Sequence, residues 1–321
     1  MYMTQPSAMR AARNTLIVVM CAIFQKTQAE SMPILAYKLT GKTECVLIGA
    51  KHLIFSQIQT PDTLLQYLTK NKTLFIESSF NDGINPSYYL TSFKNSDQYL
   101  TVTSDLELQN IRSELIKKRN LKSMTADYKN EPVLDQIPTL AYAQYIITLG
   151  RALWSVEKKL EGSKNIDLKL FDYAFKNNYQ IKTLENTDTN FILVDRDLRL
   201  NENYIGYFKD IYNFAASDDA YNDELELENV LKKQNIDEVE NQLNRIYFNF
   251  KFLKRENTVI LKQRNRNWLP KLVSHLKNTN QKCTIAVGVA HLVGTGGLLN
   301  LLADAGIKVE PMSNTFSDLQ N

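Results

Sequence analysis

Short apolar runs alternate with longer stretches of helical periodicity along the chain, a pattern typical of a mixed α/β fold. Runs at residues 45–48, 73–77 and 283–287 predict strands, because each is short and is bounded by glycine or polar residues. Further strands are predicted at 179–184 and 307–310. Most of these strands come from the two ends of the chain, so one sheet can collect them.

Helical periodicity dominates the middle of the chain. Apolar residues recur at helical spacing in residues 133–160, 167–175 and 225–253. Nearer the ends, one helix is predicted to begin at Thr60, a suitable N-cap, and another to cover 298–305. No linker rich in proline, glycine or serine separates these parts.

The sequence therefore predicts a single α/β domain over residues 30–321. Its sheet is built from an N-terminal and a C-terminal unit, each consisting of a strand, Gly-x-x-His and a helix. The helical middle is an insertion at about residues 100–260. Two domains, with the middle third independent, are the alternative that the chain length allows.

The N-terminus has the organisation of a signal peptide. Arg10 and Arg13 precede an apolar run at residues 16–24, and a small-x-small site follows at 27–29. The run is too short to span a bilayer, which needs about 20 residues. We predict cleavage of residues 1–29 and export of the protein to a periplasm or out of the cell. A retained anchor and a buried helix are the alternatives.

Charge narrows the range of partners. The formal net charge is +3, and residues 1–29 hold three basic side chains and no acid, so the rest of the chain is balanced. A balanced chain has no general attraction to nucleic acid or to an anionic membrane. No later segment approaches the length of a membrane span. We therefore predict no nucleic-acid partner and no stable membrane span in the mature chain.

Two of the three histidines follow the same motif. Gly49 and Gly288 each follow an apolar run and stand three residues before His52 and His291, respectively. Ligands of open α/β sheets bind at the carboxyl ends of strands, where glycine allows a sharp turn. If the two strands lie side by side, both imidazoles are directed to one point.

A third ligand for a metal ion follows another predicted strand. Glu77 closes the apolar run at 73–77, so its carboxylate is expected at the same end of the sheet. Two histidines and one carboxylate with open positions are typical of catalytic divalent-metal sites. Glu310, at the end of 307–310, competes with Glu77 for this role. His275 lies in a helical pattern and is predicted to be structural.

The cysteines offer one test of how the two units align. Aligning the units on their histidines places Cys45 seven residues before His52, and Cys283 eight residues before His291. Because side chains alternate along a strand, the cysteines would then point to opposite faces. We therefore predict no disulfide between them.

Several stretches of the sequence resemble the TraB/GumN family, whose relatives include the Tiki metalloproteases. The most specific is Ala-Val-Gly-Val-Ala-His-Leu-Val-Gly at 286–294, which carries the second Gly-x-x-His motif. Gln-Arg-Asn-Arg-Asn-Trp at 263–268, and the segments 166–168 and 184–185, also resemble the bacterial members. The resemblance extends over residues 37–310.

This resemblance implies a divalent-metal hydrolase with His52, His291 and Glu77 at the metal, and with manganese, cobalt or zinc as candidate ions. It also places Arg264 and Asn265 beside the site. A metal-activated water would attack a peptide or protein amide bond, with Glu77 as metal ligand or proton acceptor and Arg264 stabilising the oxyanion.

Some residues leave alternatives open. Ala50 replaces the threonine that usually follows the first glycine in the family, which keeps open a non-catalytic protein that sequesters a peptide or a metal. Arg264 also fits a basic surface cluster. Asp167 and Glu185 are interpreted as helix-start and packing residues, and the acidic residues between 218 and 228 as solvated.

Overall fold

A computed structural model describes residues 32–51, 71–77, 166–185, 213–215, 217–250 and 260–312, together with the single residues 110 and 210. These residues confirm a mixed α/β class. The strands are β1 (Ile34–Thr40), β2 (Glu44–Ala50), β3 (Thr73–Ile76), β4 (Gln180–Thr183), β5 (Cys283–Gly288) and β6 (Lys308–Met312). The helices are α1 (Ile166–Lys176), α2 (Asp218–Lys233), α3 (Ile236–Asn249), α4 (Lys262–Asn278) and α5 (Leu298–Asp304).

The six strands form one mixed sheet in the order β4-β3-β5-β2-β1-β6. Strands β4, β3, β5 and β2 are parallel, whereas β1 is antiparallel to both of its neighbours. The sheet therefore combines strands from both ends of the chain, as predicted. The four parallel strands end on the same side, which we call the carboxyl edge.

Helices cover both faces of the sheet. Leu47, Phe75 and Ile285 pack on one face with residues of α2, α3, α4 and α5. Their neighbours along the strands point to the other face and pack with α1. Ile48 and Ala286 are examples. This alternation produces three layers, with the central strands buried on both sides.

Strand β1 was not predicted. It pairs with β2 along its whole length and with β6 over residues 36–40, so partners distant in sequence create its buried environment. Its Lys38 forms an exposed ion pair with Glu44 at 2.6 Å. Pairing with β2 and β6 explains this strand better than does any local alternation of apolar and polar residues.

The helix predicted at 225–253 is two helices. Gln234 adopts a left-handed backbone conformation with φ of 56° and ends α2. The Asn235 side chain accepts hydrogen bonds from the backbone N–H groups of Asp237 and Glu238, which caps α3. The cap is local and could have been found in the sequence.

The disulfide prediction was wrong. Cys45 and Cys283 are directly paired across β2 and β5, their Cα atoms are 4.6 Å apart, and they form a disulfide. The same register places Ala50, not Gly49, opposite Gly288. The two strands are therefore aligned on their cysteines, and the two Gly-x-x-His motifs are offset by one residue.

Several predictions lie outside the described residues. They are the signal peptide at 1–29, the helix beginning at Thr60, and the helix at 133–160. His52 also lies there, and the insertion at about 100–260 is described only in part. Among the described residues, no helix combines the length and the apolar character that a membrane span requires.

Candidate functional site

Charged and polar side chains converge on the carboxyl edge of the sheet. Glu77 directly follows β3, and Glu185 follows β4 after one further residue. His291 ends a 3-10 turn, Val289–His291, that continues β5. Arg264 and Asn265 come from the first turn of α4. Four of the five predicted site residues are thus brought together, and His52 is the one outside the described residues.

Arg264 bridges two carboxylates. Its Nη2 donates to Glu77 Oε2 and to Glu185 Oε1, both at 2.6 Å, and its Nε donates to Glu185 Oε2 at 3.0 Å. The guanidinium also lies 4.8 Å from the centre of the Trp268 ring. We call Arg264, Glu77 and Glu185 the Arg264 cluster.

The environment of Arg264 excludes the surface interpretation, because its side chain is only 17% exposed. Burial alone would lower the pKa of the guanidinium, but the charges of Glu77 and Glu185 outweigh burial and raise this pKa above its ordinary value. Arg264 is therefore a permanent positive charge held between two carboxylates.

Glu77 accepts hydrogen bonds on both oxygens. Oε1 accepts from the backbone N–H of Gly288 at 2.6 Å, and Oε2 accepts from Arg264. Oε1 also lies 3.7 Å from Nε2 of His291. These contacts connect the end of β3 to the end of β5 and fix the carboxylate beside the imidazole.

The tautomer of His291 follows from its neighbour Asn265. Nδ2 of Asn265 donates to the carbonyl oxygens of His291 at 3.0 Å and of Gly296 at 2.8 Å. Oδ1 of Asn265 is therefore an acceptor, and Nδ1 of His291, 2.6 Å away, must be the donor. In the neutral ring, Nε2 then carries the lone pair, and it faces Glu77. The imidazole also packs against Trp268, with ring centres 4.3 Å apart.

Glu185 is a site residue that the sequence analysis assigned to packing. Besides Arg264, it accepts from Nε1 of Trp268 at 3.0 Å, and its own backbone N–H donates to the Glu77 carbonyl at 3.0 Å. The signal that could have found it is the one that found Glu77, because Glu185 is an acid that directly follows the predicted strand at 179–184.

A second buried ion cluster lies where β2 ends. Nζ of Lys51 is 2.8 Å from Glu224 Oε2 and 3.2 Å from Glu228 Oε1, and it donates to the Glu224 carbonyl at 2.9 Å. The three side chains are at most 6% exposed. We call them the Lys51 cluster. The cluster holds Lys51 in place, and Lys51 directly precedes His52.

The acidic stretch was therefore misinterpreted as wholly solvated. Asp223, Glu224 and Glu228 are buried, because α2 turns one face towards the sheet. Asp223 is paired with Arg245 at 3.1 Å.

Neither glycine of the two motifs has the positive φ that favours glycine, and Gly49 instead provides space for a neighbouring side chain. Gly49 lies inside β2, where a Cβ atom would overlap the side chain of Leu292. Gly288 has an ordinary extended conformation, with φ of −60°. The close approach of Leu292 explains Gly49 without any unusual backbone angle.

Glu310 does not approach Glu77. It lies in β6, and β5, β2 and β1 separate this strand from β3. Its carboxylate pairs with Lys308 at 2.8 Å. The placement in the sheet leaves Glu77 as the carboxylate next to His291.

A cavity of about 230 Å³ adjoins the site. It lies between α3, the beginning of α4 and the loop at 290–296, and Asn265 is part of its wall. Apolar side chains (Leu243, Val293) and charged ones (Glu240, Lys262) both line it. The cavity offers space for a ligand group next to the residue that orients His291.

His275 lies away from this edge and has its own partners. Its Nε2 is 2.8 Å from the carbonyl oxygen of Gln281, and its ring packs edge-on against Phe75 with centres 5.0 Å apart. Burial lowers the pKa of His275, although the bond to Gln281 opposes this effect. Lys182 lowers the pKa further.

The His275 environment predicts acid destabilisation. Because the folded pKa is below the unfolded value of 6.5, the unfolded chain binds the proton first. Stability should fall as pH drops below about 6.5 and level off below the folded pKa. Urea unfolding of the wild type and of His275→Gln at a series of pH values tests this. A wild-type slope that persists unchanged in the variant would assign the effect to other groups.

Fold and site together define an α/β protein with a carboxylate, an imidazole and a buried arginine at the carboxyl edge of a largely parallel sheet. The chain belongs to the TraB/PrgY/gumN family, whose model matches residues 35–311. No significant match was found among curated proteins or among solved structures.

Proposed function

We propose that this protein is an exported divalent-metal-dependent hydrolase that cleaves peptide or protein amide bonds. The observation that carries the proposal is the pair formed by Nε2 of His291 and Oε1 of Glu77, 3.7 Å apart. In the neutral ring, Nε2 directs its lone pair towards this carboxylate oxygen, and a cation between the two atoms would bind both. Two ligand atoms about 2.1 Å from one tetrahedral ion are about 3.4 Å apart, close to this separation.

The surrounding charges support a cation. In the Arg264 cluster two carboxylates face a single guanidinium, so a negative charge remains. Asn265 holds the imidazole by Nδ1, as hydrogen-bond partners of metal-binding histidines do. His52, which follows the Lys51 cluster, is proposed as the second imidazole ligand. Nitrogen and oxygen donors suit manganese, cobalt or zinc.

The residues of the site have distinct proposed roles. A bound divalent ion would supply Lewis-acid activation of water and of the amide carbonyl. Glu77 is fixed by a hydrogen bond to each oxygen and lies beside Nε2 of His291, so we assign it to holding the ion. Arg264 stabilises negative charge that develops on the substrate oxygen. The cavity beside Asn265 receives a side chain of the peptide.

A second candidate is a protein of the same fold that sequesters a peptide or metal without turnover. Two observations favour it. Ala50, fully buried opposite Gly288, supplies no hydroxyl at the carboxyl edge. Each oxygen of Glu77 also already accepts a hydrogen bond, from Gly288 or from Arg264, which competes with proton delivery from a water molecule. Metal binding is common to both candidates, and turnover separates them.

Export is supported by two features of different kinds. The sequence of residues 1–29 has the organisation of a signal peptide. The Cys45–Cys283 disulfide is compatible with an oxidising compartment, where such bonds persist. We propose that the mature protein resides in a periplasm or is secreted.

Metal content tests the proposal first. The full chain, reconstituted with zinc, manganese or cobalt and desalted, should retain about one equivalent by elemental mass spectrometry. His52→Ala, His291→Ala and Glu77→Gln should each lose it. Glu310→Gln is the matched control, since it changes a glutamate in β6, which three strands separate from β3, and it should retain the ion.

Turnover is the second measurement. A mixture of unstructured peptides incubated with the loaded protein should give new fragments in mass spectrometry, and Glu77→Gln should abolish them. Retained metal without fragments would favour sequestration. Absence of metal from the wild type under all three ions would reject both candidates.

A further inference from the structure

A second group of potential ligands lies at the opposite end of the sheet. Cys45 and Cys283 stand near or at the beginning of β2 and β5, whereas the candidate site lies where these strands end. The two sulfur atoms and a ring nitrogen of His275 all lie within 4.8 Å of one another. All three residues are at most 6% exposed. We call them the cysteine cluster.

His275 has the hydrogen bond that a metal-binding histidine usually has. The carbonyl oxygen of Gln281 can only accept, so Nε2 of His275 must donate to it. Nδ1 of the neutral ring is then left with the lone pair. A backbone carbonyl that fixes the tautomer in this way is a common outer partner of ligating histidines.

We propose that, when the disulfide is reduced, Cys45, Cys283 and His275 bind one zinc ion. Two thiolates and one imidazole are a donor set that selects zinc among the common divalent ions, whereas Glu77 and His291 supply no sulfur. Two thiolates also neutralise a divalent ion, which suits a cluster whose cysteines belong to the apolar core.

The chemistry balances in two steps. A dithiol reductant gives two electrons and two protons to the disulfide, which yields two protein thiols and the oxidised cyclic disulfide of the reductant. Zinc then replaces the two thiol protons, which are released to solvent. The disulfide and the zinc ion are alternative links between β2 and β5, whose cysteines are 238 residues apart in sequence.

Cobalt spectroscopy tests this site separately from the candidate metal centre. The full chain carrying Cys21→Ser, which leaves two cysteines, is reduced with a phosphine, desalted under argon and titrated with cobalt. We expect a thiolate-to-cobalt charge-transfer band in the near ultraviolet, with a final amplitude that corresponds to one thiolate-bound cobalt ion per chain, and the band should disappear when zinc is added. The oxidised protein should lack the band.

Variants assign the ligands. Further replacement of Cys45 or Cys283 by Ser should remove the band, and His275→Gln should weaken cobalt binding more than about tenfold. Glu77→Gln should leave the band unchanged, because it affects only the oxygen and nitrogen site.

Three outcomes would overturn the proposal. One is a reduced protein that stays folded by circular dichroism and shows no band with excess cobalt. Another is a band whose intensity and cobalt affinity are unchanged by His275→Gln. The third is a protein that unfolds on reduction and does not refold with zinc, because an ion bound by the folded state must stabilise it.

Discussion

Replacing Lys51 with methionine should destabilise the folded state by about 3–5 kcal/mol, the range for removing one partner of a buried ion pair. The ammonium has two carboxylate partners and a carbonyl, and Glu228 is fully buried. The variant keeps the length of the side chain but leaves Glu224 and Glu228 without this positive charge. Urea unfolding at pH 7, followed by circular dichroism, measures the loss.

Lys282→Met is the matched control for this experiment. Its ammonium pairs with Glu44 at 3.3 Å, but its side chain is 61% exposed, so its removal should change stability by less than about 0.5 kcal/mol. Adding Glu228→Gln to Lys51→Met should recover part of the loss, because one uncompensated charge disappears. Equal effects of the Lys51 and Lys282 variants would contradict the energetic importance of the Lys51 cluster.

The Lys51 cluster also shows where sequence reasoning ends. Lys51 and its partners are 173 and 177 residues apart, and nothing local marks Glu224 or Glu228 as buried. The acidic stretch has the composition of a solvated helix start. Only the packing of α2 against the sheet selects which of its acids face inwards.

The carboxyl edge itself could be predicted. Residues that follow apolar strands meet at one edge when the strands are parallel, and this rule located Glu77 and His291 correctly relative to the sheet. The same rule applies to Glu185. It was assigned to packing because its position directly after the predicted strand at 179–184 was not taken into account. Its partners Arg264 and Trp268 lie on α4, and they are 79 and 83 residues away in sequence.

Strand register could not be obtained by matching motifs. Aligning the histidines assumed that the two Gly-x-x-His segments are equivalent, whereas the sheet pairs Cys45 with Cys283. A one-residue shift reverses the face of every side chain, so this assumption alone reversed the disulfide prediction. The constraint that fixes register is packing across the whole strand, as with Leu292 against Gly49.

Replacing Glu185 with alanine should cost about 3–5 kcal/mol of folding stability, because it removes the carboxylate that binds the largely buried Arg264 in a bidentate manner. Arg264 would keep Glu77 alone, and Nε1 of fully buried Trp268 would lose its acceptor. Denaturant unfolding and Trp fluorescence both measure the change, since the indole lies in the affected contact. Glu310→Ala is the control and should have little effect, because this side chain lies in the edge strand β6 and is 45% exposed.

Glu185→Gln separates charge from hydrogen bonding. The amide oxygen can still accept from Trp268, so the loss of stability should be smaller than in Glu185→Ala, about 1–3 kcal/mol. Both variants leave a single carboxylate against Arg264, which removes the excess negative charge beside Glu77 and His291. Affinity for the proposed metal ion should therefore fall in both, even where the fold survives. If Glu185→Gln binds the ion as tightly as the wild type, that charge plays no part in holding the metal, and the Arg264 cluster serves only to join β3, β4 and α4.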